Sequence, residues 1–151
     1  MLLFDTLKKA VKFFPQKKAI ICGNHHWTYQ EFYNRITKLV SVLKSFGIDK
    51  DDKVAILHPN CHYFLEAYFG ISQLGAVSVP INYRLSPHEI AFILQDSDSK
   101  ILIADQMFQK QIDSIRDKTL GLERIIWTGE RHNITASDDL HYEEILAGST
   151  Y

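Results

Sequence analysis

Four short apolar runs, separated by helix-like segments, most constrain the fold of this chain. They read KVAIL at 53–57, AVSVP at 76–80, KILIA at 100–104 and ERIIW at 123–127. A short run that is apolar at most positions is typical of a strand buried on both faces. Strands that alternate with helices form a mostly parallel sheet with right-handed crossovers. The sequence therefore predicts an α/β fold, with a mostly parallel sheet covered by helices on both faces.

The first 14 residues predict an amphipathic helix that ends at Pro15. Its apolar stripe is expected to comprise Leu3, Leu7, Ala10, Val11 and Phe14. Such a stripe usually docks a helix on its own domain. The lysines off the stripe leave a second interpretation open, since a basic amphipathic helix can lie on an anionic membrane. Any membrane contact is expected to be peripheral.

A short β-hairpin is predicted next. Residues 19–22 and 26–27 are strand-like and flank Gly23-Asn24, which is a turn signal. We expect residues 1–28 to form an N-terminal helix and hairpin, and residues 29–151 to form an α/β subdomain.

Capping residues predict where the later helices begin and end. Thr28 and Glu31 have the spacing of a capping box, and Gly47 can end the helix that they start. Ser86-Pro87-His88-Glu89 repeats the capping pattern and predicts a helix to about Gln95. The other helices are expected at 60–75, with Asn60 as N-cap, at 106–117 and at 139–146. Residues 130–137 are interpreted as an extended loop.

Charge and cysteine content exclude several classes of protein. Seventeen basic residues against eighteen acidic ones leave little net field, so no nucleic-acid partner is expected. Cys22 and Cys61 are far apart in the sequence and form no C-x-x-C pair, which indicates small buried residues in a reducing cytosol. No run reaches the ~18 apolar residues of a membrane span. A cytoplasmic location is therefore predicted.

The exits of the predicted strands carry polar side chains but no complete catalytic motif. Neither G-x-G-x-x-G nor G-x-x-x-x-G-K-[ST] occurs in the chain, so unaided ATP binding is not expected. His58, Cys61 and His62 suggest a metal site, but their side chains need not converge and further ligands are missing nearby. The cysteines lack any local activating arrangement, and His25-His26 is interpreted as part of a solvated turn. We predict no catalytic residue and no metal ligand.

Arg84 is the one candidate binding residue. It follows the strand AVSVP and precedes the Ser86 cap, in the loop Asn82-Tyr83-Arg84-Leu85. A guanidinium beside a helix N-terminus can bind a phosphate through charge-assisted hydrogen bonds. The alternative is a surface arginine that pairs with Glu89.

Three stretches give the chain a family resemblance. They are FPQKKAIICGNHHWTYQEF, SFGIDKDDKVAILHPNCHYFLEAYFGISQLGAVSVPINYRLSPHEIAFIL and SKILIADQ, of which GAVSVPINYRL is the most specific part. From about Leu7 to Leu146 the sequence resembles the opening of the acyl-CoA synthetases of the AMP-forming adenylating superfamily.

The resemblance implies a two-step ligase. In such enzymes a carboxylate attacks the α-phosphate of Mg-ATP to give an acyl adenylate and pyrophosphate, and the thiol of CoA then displaces AMP. The resemblance also implies that Arg84, in an N-x-R-L loop, contacts the nucleotide phosphates of CoA. ATP, Mg²⁺ and CoA are thus the expected cofactors of the complete enzyme, and a carboxylic acid, most commonly a fatty acid, is its expected substrate.

The family's phosphate loop, adenine-binding motif and mobile C-terminal domain do not occur in this sequence. We therefore expect an N-terminal portion of the large AMP-binding domain, inactive alone and without a bound cofactor. It would expose apolar surface or hide that surface in an incidental dimer. The alternative is a stand-alone, non-catalytic binding or scaffolding domain derived from such an enzyme.

Overall fold

A five-stranded parallel sheet with helices on both faces forms the body of the protein, beside a separate two-stranded hairpin. The computed structural model describes residues 3–130, 136 and 138–149. The sheet has the strand order β4-β3-β5-β6-β7, and the antiparallel hairpin consists of β1 and β2. The predicted fold class is confirmed.

The bounds of the elements follow the chain order. The strands are β1 (Lys18–Cys22), β2 (His25–Thr28), β3 (Lys53–Leu57), β4 (Val77–Pro80), β5 (Ile101–Asp105), β6 (Arg124–Thr128) and β7 (Leu140–His141). The helices are α1 (Leu3–Phe13), α2 (Tyr29–Ser45), α3 (His62–Gln73), α4 (Pro87–Asp96), α5 (Gln109–Asp113) and α6 (Tyr142–Ala147).

Each face of the sheet has its own apolar core. Ala55 and Leu57 of β3 pack with residues of α4 and α5, whereas Val54 and Ile56 pack with residues of α2, α3 and α6. All four side chains are fully buried. Alternate side chains of a strand point to opposite faces, so an apolar run without alternation indicates a strand covered on both sides. This is why β3 and β5 could be recognised from sequence.

Local capping rules fix the start of two helices. The hydroxyl of Thr28 accepts a hydrogen bond from the Glu31 N–H, and the Glu31 carboxylate accepts one from the Thr28 N–H. Ser86 and Glu89 make the same reciprocal pair at the start of α4. Gly47, at φ +82°, follows the C-cap residue Phe46 of α2 in the left-handed conformation. Both predicted capping boxes and the glycine stop are confirmed.

Two predicted helices, those at 60–75 and 106–117, differ from the observed ones. Helix α3 takes Cys61 rather than Asn60 as its N-cap, and the Cys61 side chain makes no capping hydrogen bond. The helix predicted over 106–117 is broken into two short 3-10 turns around α5. The Asp105 carboxylate causes the first turn, because it accepts a hydrogen bond from the Met107 N–H at 2.8 Å.

The last helix begins later than predicted, because a fifth strand precedes it. Leu140 and His141 pair with Ile126 and Trp127 of β6 as strand β7, and α6 starts only at Tyr142. Asp139 stays outside the helix, where its carboxylate binds the Arg116 guanidinium and the Trp127 indole N–H. Most of the predicted loop at 130–137, namely residues 131–135 and 137, lies outside the described residues.

Helix α1 docks on its own domain through part of the predicted stripe, since Leu7 and Val11 pack in the core there. Phe4 and Leu7 are buried, and the Phe4 ring stacks on Tyr33 of α2 with 5.5 Å between centroids. Leu3 and Phe14, which were predicted to belong to the stripe, are exposed. The anchor is therefore Phe4, one position along from the predicted Leu3. Among the described residues no helix has both the length and the apolar character that crossing a bilayer requires.

Candidate functional site

The topology of the sheet marks one place on its edge where ligands are expected. The chain passes from β3 outward to β4, and then returns across β3 to place β5 on the other side. In open parallel sheets, ligands bind beyond the carboxyl ends of the strands where the strand order reverses in this way. This switch point lies between the ends of β3 and β5, so His58 and Asp105 lie beside it.

His58 connects three strands at the switch point. Its side chain is almost fully buried, with Nε2 2.7 Å from the Thr128 hydroxyl at the end of β6. Nδ1 lies 2.9 Å from the Pro59 carbonyl oxygen, which can only accept, so Nδ1 carries the proton and donates. At Nε2 the neutral ring then accepts a hydrogen bond from the Thr128 hydroxyl. The Asp105 carboxylate lies 3.5 Å from the same nitrogen.

The electrostatics of His58 favour this neutral form. Burial lowers the pKa of the imidazole, against the opposing influence of the Pro59 carbonyl and the Asp105 charge. Both ring nitrogens of the neutral His58 have a hydrogen-bond partner, so its burial leaves no polar atom unpaired. The arrangement holds the ends of β3, β5 and β6 together.

Cys61 also lies at this edge, yet it is not an activated nucleophile. Its Sγ is 3.3 Å from Nδ1 and 4.0 Å from Nε2 of His58. A sulfur this close to both nitrogens lies over the ring face, out of line with either lone pair, so the ring cannot readily take its proton. Burial raises the pKa of the thiol. The structure thus brings His58 and Cys61 together without the geometry of a nucleophile and its base.

His62, the third residue of the suggested metal group, lies apart from this pair. Its ring stacks on Trp27 of the hairpin at 4.1 Å between centroids, and burial lowers the pKa of His62 to about 4. In the part of the chain that the structure describes, no group of three or more histidine, cysteine or carboxylate side chains is placed to hold a metal ion.

The Arg84 loop crosses the neighbouring strand end as a compact turn. Ile81 is buried and donates its N–H to the Ile56 carbonyl of β3, which anchors the loop to the sheet. The Asn82 side chain accepts the Arg84 N–H at 3.0 Å, and this closes the turn. Tyr83 packs near Phe108, with 6.1 Å between ring centroids. The backbone that carries Arg84 is therefore fixed from both sides.

The Arg84 guanidinium itself is exposed. It lies 5.8 Å from the Tyr83 ring centroid, and in the described part of the chain no carboxylate forms an ion pair with it. The Glu89 carboxylate instead accepts hydrogen bonds from the N–H and hydroxyl of Ser86, which hold the pKa of Glu89 below its usual value. The predicted alternative, an Arg84–Glu89 surface pair, is therefore not formed.

The capping box also changes one expectation about this loop. The sequence suggested that the N-terminus of α4 would help Arg84 to bind a phosphate. The Glu89 carboxylate already occupies that helix end, where it meets the positive end of the helix dipole. A phosphate at this loop would thus depend on the guanidinium rather than on free helix N–H groups.

The most perturbed ionisable groups lie elsewhere and were missed from sequence. Arg35 of α2 makes hydrogen bonds to Glu66 of α3, with Nε to Oε1 at 2.5 Å, and to Glu143 of α6, with Nη2 to Oε1 at 2.7 Å. The Tyr142 hydroxyl donates to Glu66 at 2.9 Å. We call Arg35, Glu66, Tyr142 and Glu143 the three-helix ion network. Its partners lie up to 108 positions apart, so no local pattern signals it.

Shifted pKa values in this network have a structural cause. Burial would lower the pKa of Arg35, but hydrogen bonds to Glu143 and Glu66 outweigh it and raise that pKa. Burial acts to raise the pKa of Glu143, and the hydrogen bond from Arg35 outweighs it, so the pKa is lowered. Glu66 is fully buried and has both Arg35 and Tyr142 as partners. A network in which every member is paired, built on the buried Glu66 and Tyr142, indicates helix-to-helix attachment rather than a reactive site.

Comparison with known proteins agrees with this architecture. Residues 7–144 match the AMP-binding enzyme family. The chain is 33% identical over 150 residues to 4-hydroxybutyrate–CoA ligase 2 of Metallosphaera sedula, and 34% identical over 148 residues to a long-chain-fatty-acid–CoA ligase of Thermus thermophilus. Each alignment covers 95% of this chain and 27% of the relative.

A solved structure gives the same result. The crystal structure of the anthranilate CoA ligase AuaEII, in complex with anthranoyl-AMP, superposes on 99% of this chain with a TM-score of 0.93 and 27% identity. The superposed region is 28% of that ligase, so the chain spans little more than a quarter of the length of these three relatives. The chain therefore belongs to the AMP-binding enzyme family and corresponds to the N-terminal part of its acyl-CoA ligases.

Proposed function

We propose that this chain forms the N-terminal scaffold of an AMP-forming acid–thiol ligase. The complete enzyme would adenylate a carboxylic acid with Mg-ATP and transfer the acyl group to CoA. The observation that carries this proposal is the family match over residues 7–144, together with the three compared relatives, each of which is named as a CoA ligase. A fatty acid is the proposed substrate class.

The residues of this chain do not fit ATP, so no step of the adenylation is assigned to them. Phosphoryl transfer needs several N–H donors and cations around one phosphate group. Four glycines, at 23, 47, 75 and 129, adopt positive φ, and they lie at separate turns rather than in one loop. The 151 residues alone are therefore expected to show no acid-dependent exchange between ATP and pyrophosphate.

Arg84 does fit one part of CoA. Its guanidinium is exposed on a loop that Ile81 and Asn82 hold in place, and no described carboxylate competes for it. A planar cation of this kind matches the oxygens of a phosphate group. We assign it to the nucleotide phosphates of CoA.

The test is an assay of the full gene product that carries this sequence. Formation of AMP and pyrophosphate should require ATP, Mg²⁺ and a carboxylic acid, and an acyl-CoA should appear only when CoA is added. A panel of fatty, hydroxylated and aromatic acids identifies the substrate class. Absence of AMP formation with every acid, in a protein shown to be folded, would contradict the proposal and favour a non-catalytic binding domain.

A further inference from the structure

Two adjacent phenylalanines project from the end of α1. Phe13 and Phe14 are 66% and 49% exposed, and their ring centroids lie 6.4 Å apart. Large exposed apolar side chains with polar groups around them often mark a surface that binds a protein or a membrane. The packing of the domain gives these rings no role, because α1 docks through Phe4 and Leu7 on its other face.

Lysines surround the two rings. Lys12 Nζ lies 5.7 Å from the Phe13 centroid and Lys17 Nζ lies 4.3 Å from the Phe14 centroid. Lys9 and Lys18, in the same stretch of sequence, are also exposed. Residues 3–18 contain five lysines and one aspartate, although the whole chain carries a formal net charge of −1. This segment therefore carries a local excess of positive charge beside the exposed rings.

The backbone below the rings is fixed. The Tyr29 N–H donates to the Lys17 carbonyl and the Gln30 N–H donates to the Pro15 carbonyl, both at 3.0 Å. These bonds tie the segment after α1 to the start of α2. The rings and lysines thus project from a rigid platform rather than from a loose terminus.

We propose that Phe13 and Phe14, with Lys9, Lys12, Lys17 and Lys18, form a surface that binds an anionic lipid bilayer. We call these six residues the N-terminal patch. The rings would enter the boundary between headgroups and acyl chains, while the lysines neutralise anionic headgroups. Two neighbouring exposed rings at a helix end suit insertion into a bilayer, and the lysines complement negative lipid charge. The contact is peripheral and does not depend on the proposed ligase activity.

The test is co-sedimentation of the full gene product that carries this sequence with vesicles, either of phosphatidylcholine alone or of phosphatidylcholine with phosphatidylserine. The protein should bind the mixed vesicles, and salt should weaken the binding. The double change Phe13→Ser/Phe14→Ser should reduce the vesicle partition coefficient about tenfold, and Lys9→Gln/Lys12→Gln should do the same. These positions are exposed, so circular dichroism should show an unchanged fold. Deleting residues 1–14 is a poorer test, because it also removes the buried Phe4 and Leu7.

Matched controls distinguish the effect of the N-terminal patch from the general effect of removing an exposed phenylalanine or two positive charges. Phe92→Ser removes a phenylalanine of α4 that is 62% exposed, and Lys44→Gln/Lys110→Gln removes two exposed lysines elsewhere. Both control proteins should bind as the wild type does. Equal sedimentation with charged and neutral vesicles would overturn the proposal, as would a Phe13→Ser/Phe14→Ser protein that binds like Phe92→Ser. Absence of any vesicle binding would also overturn it, in favour of an acidic protein partner.

Discussion

Two arginines of this protein illustrate opposite uses of the same side chain. Arg35 lies between three helices, and its guanidinium donates hydrogen bonds to the carboxylates of Glu66 and Glu143. Arg84 lies exposed on a loop at the carboxyl edge of the sheet, without a described carboxylate partner. The pKa of Arg35 is raised, and a shifted pKa is often a mark of a reactive site. The contacts indicate the reverse, because the ion network attaches helices and the unpaired arginine is the one available to a ligand.

The largest expected effect is loss of the Arg35 side chain. Arg35→Ala leaves the Glu66 carboxylate buried without its cation, which typically costs about 3–5 kcal/mol in the free energy of unfolding. Urea unfolding followed by circular dichroism measures this. Arg35→Lys should lose less, since it keeps the charge, and the exposed Lys44→Ala serves as a control. A loss below about 1 kcal/mol for Arg35→Ala would contradict a stabilising role of the three-helix ion network.

A smaller effect is expected at the switch point. Thr128→Val keeps the shape of the side chain but removes the hydroxyl that donates to His58 Nε2. An unsatisfied buried acceptor costs about 1–3 kcal/mol, and the same unfolding measurement would detect it. Thr6→Val, at an exposed position of α1, is the matched control. Equal stability of the two variants would show that His58 does not hold the strand ends together.

The ion network should also respond to acid. The folded pKa of Glu143 lies below the ordinary value of 4.5, so its contribution to stability is complete above that pH and is lost as the pH falls through the folded pKa. Because its side chain is 43% exposed, solvent screening limits the effect to under about 1 kcal/mol. Below pH 4.5 the wild type should therefore lose stability more steeply than Glu143→Gln. Parallel pH profiles of the two proteins would count against a paired Glu143.

Short-range rules explain why much of the fold was predictable from sequence. Thr28 with Glu31, and Ser86 with Glu89, satisfy each other three residues apart, so the sequence predicts these helix starts correctly. Strands β3, β5 and β6 were predictable from the apolar composition of each run alone. Strand β7 was missed because two residues carry no periodicity, and its pairing depends on β6.

The site was less predictable, because its contacts join distant parts of the chain. His58 and Cys61 are three residues apart, but the orientation of the His58 ring depends on Thr128, which lies 70 positions away. Arg35 meets Glu143 across 108 positions, and only the packing of α2, α3 and α6 brings them together. The position of Arg84 after a strand was predictable. Its lack of a pair with Glu89 was not, since that depends on which donor the Glu89 carboxylate accepts from.

The most direct measurement is a titration of CoA against the complete enzyme that contains this chain, comparing the wild type with Arg84→Ala at low and high salt. Loss of one charge-assisted phosphate contact should weaken CoA binding about tenfold at low salt, and the difference should shrink at high salt. The free energy of unfolding should change by less than about 0.5 kcal/mol. Arg124→Ala, an exposed arginine at the opposite edge of the sheet, should leave CoA affinity unchanged. Equal CoA affinities of the wild type and Arg84→Ala would contradict the account.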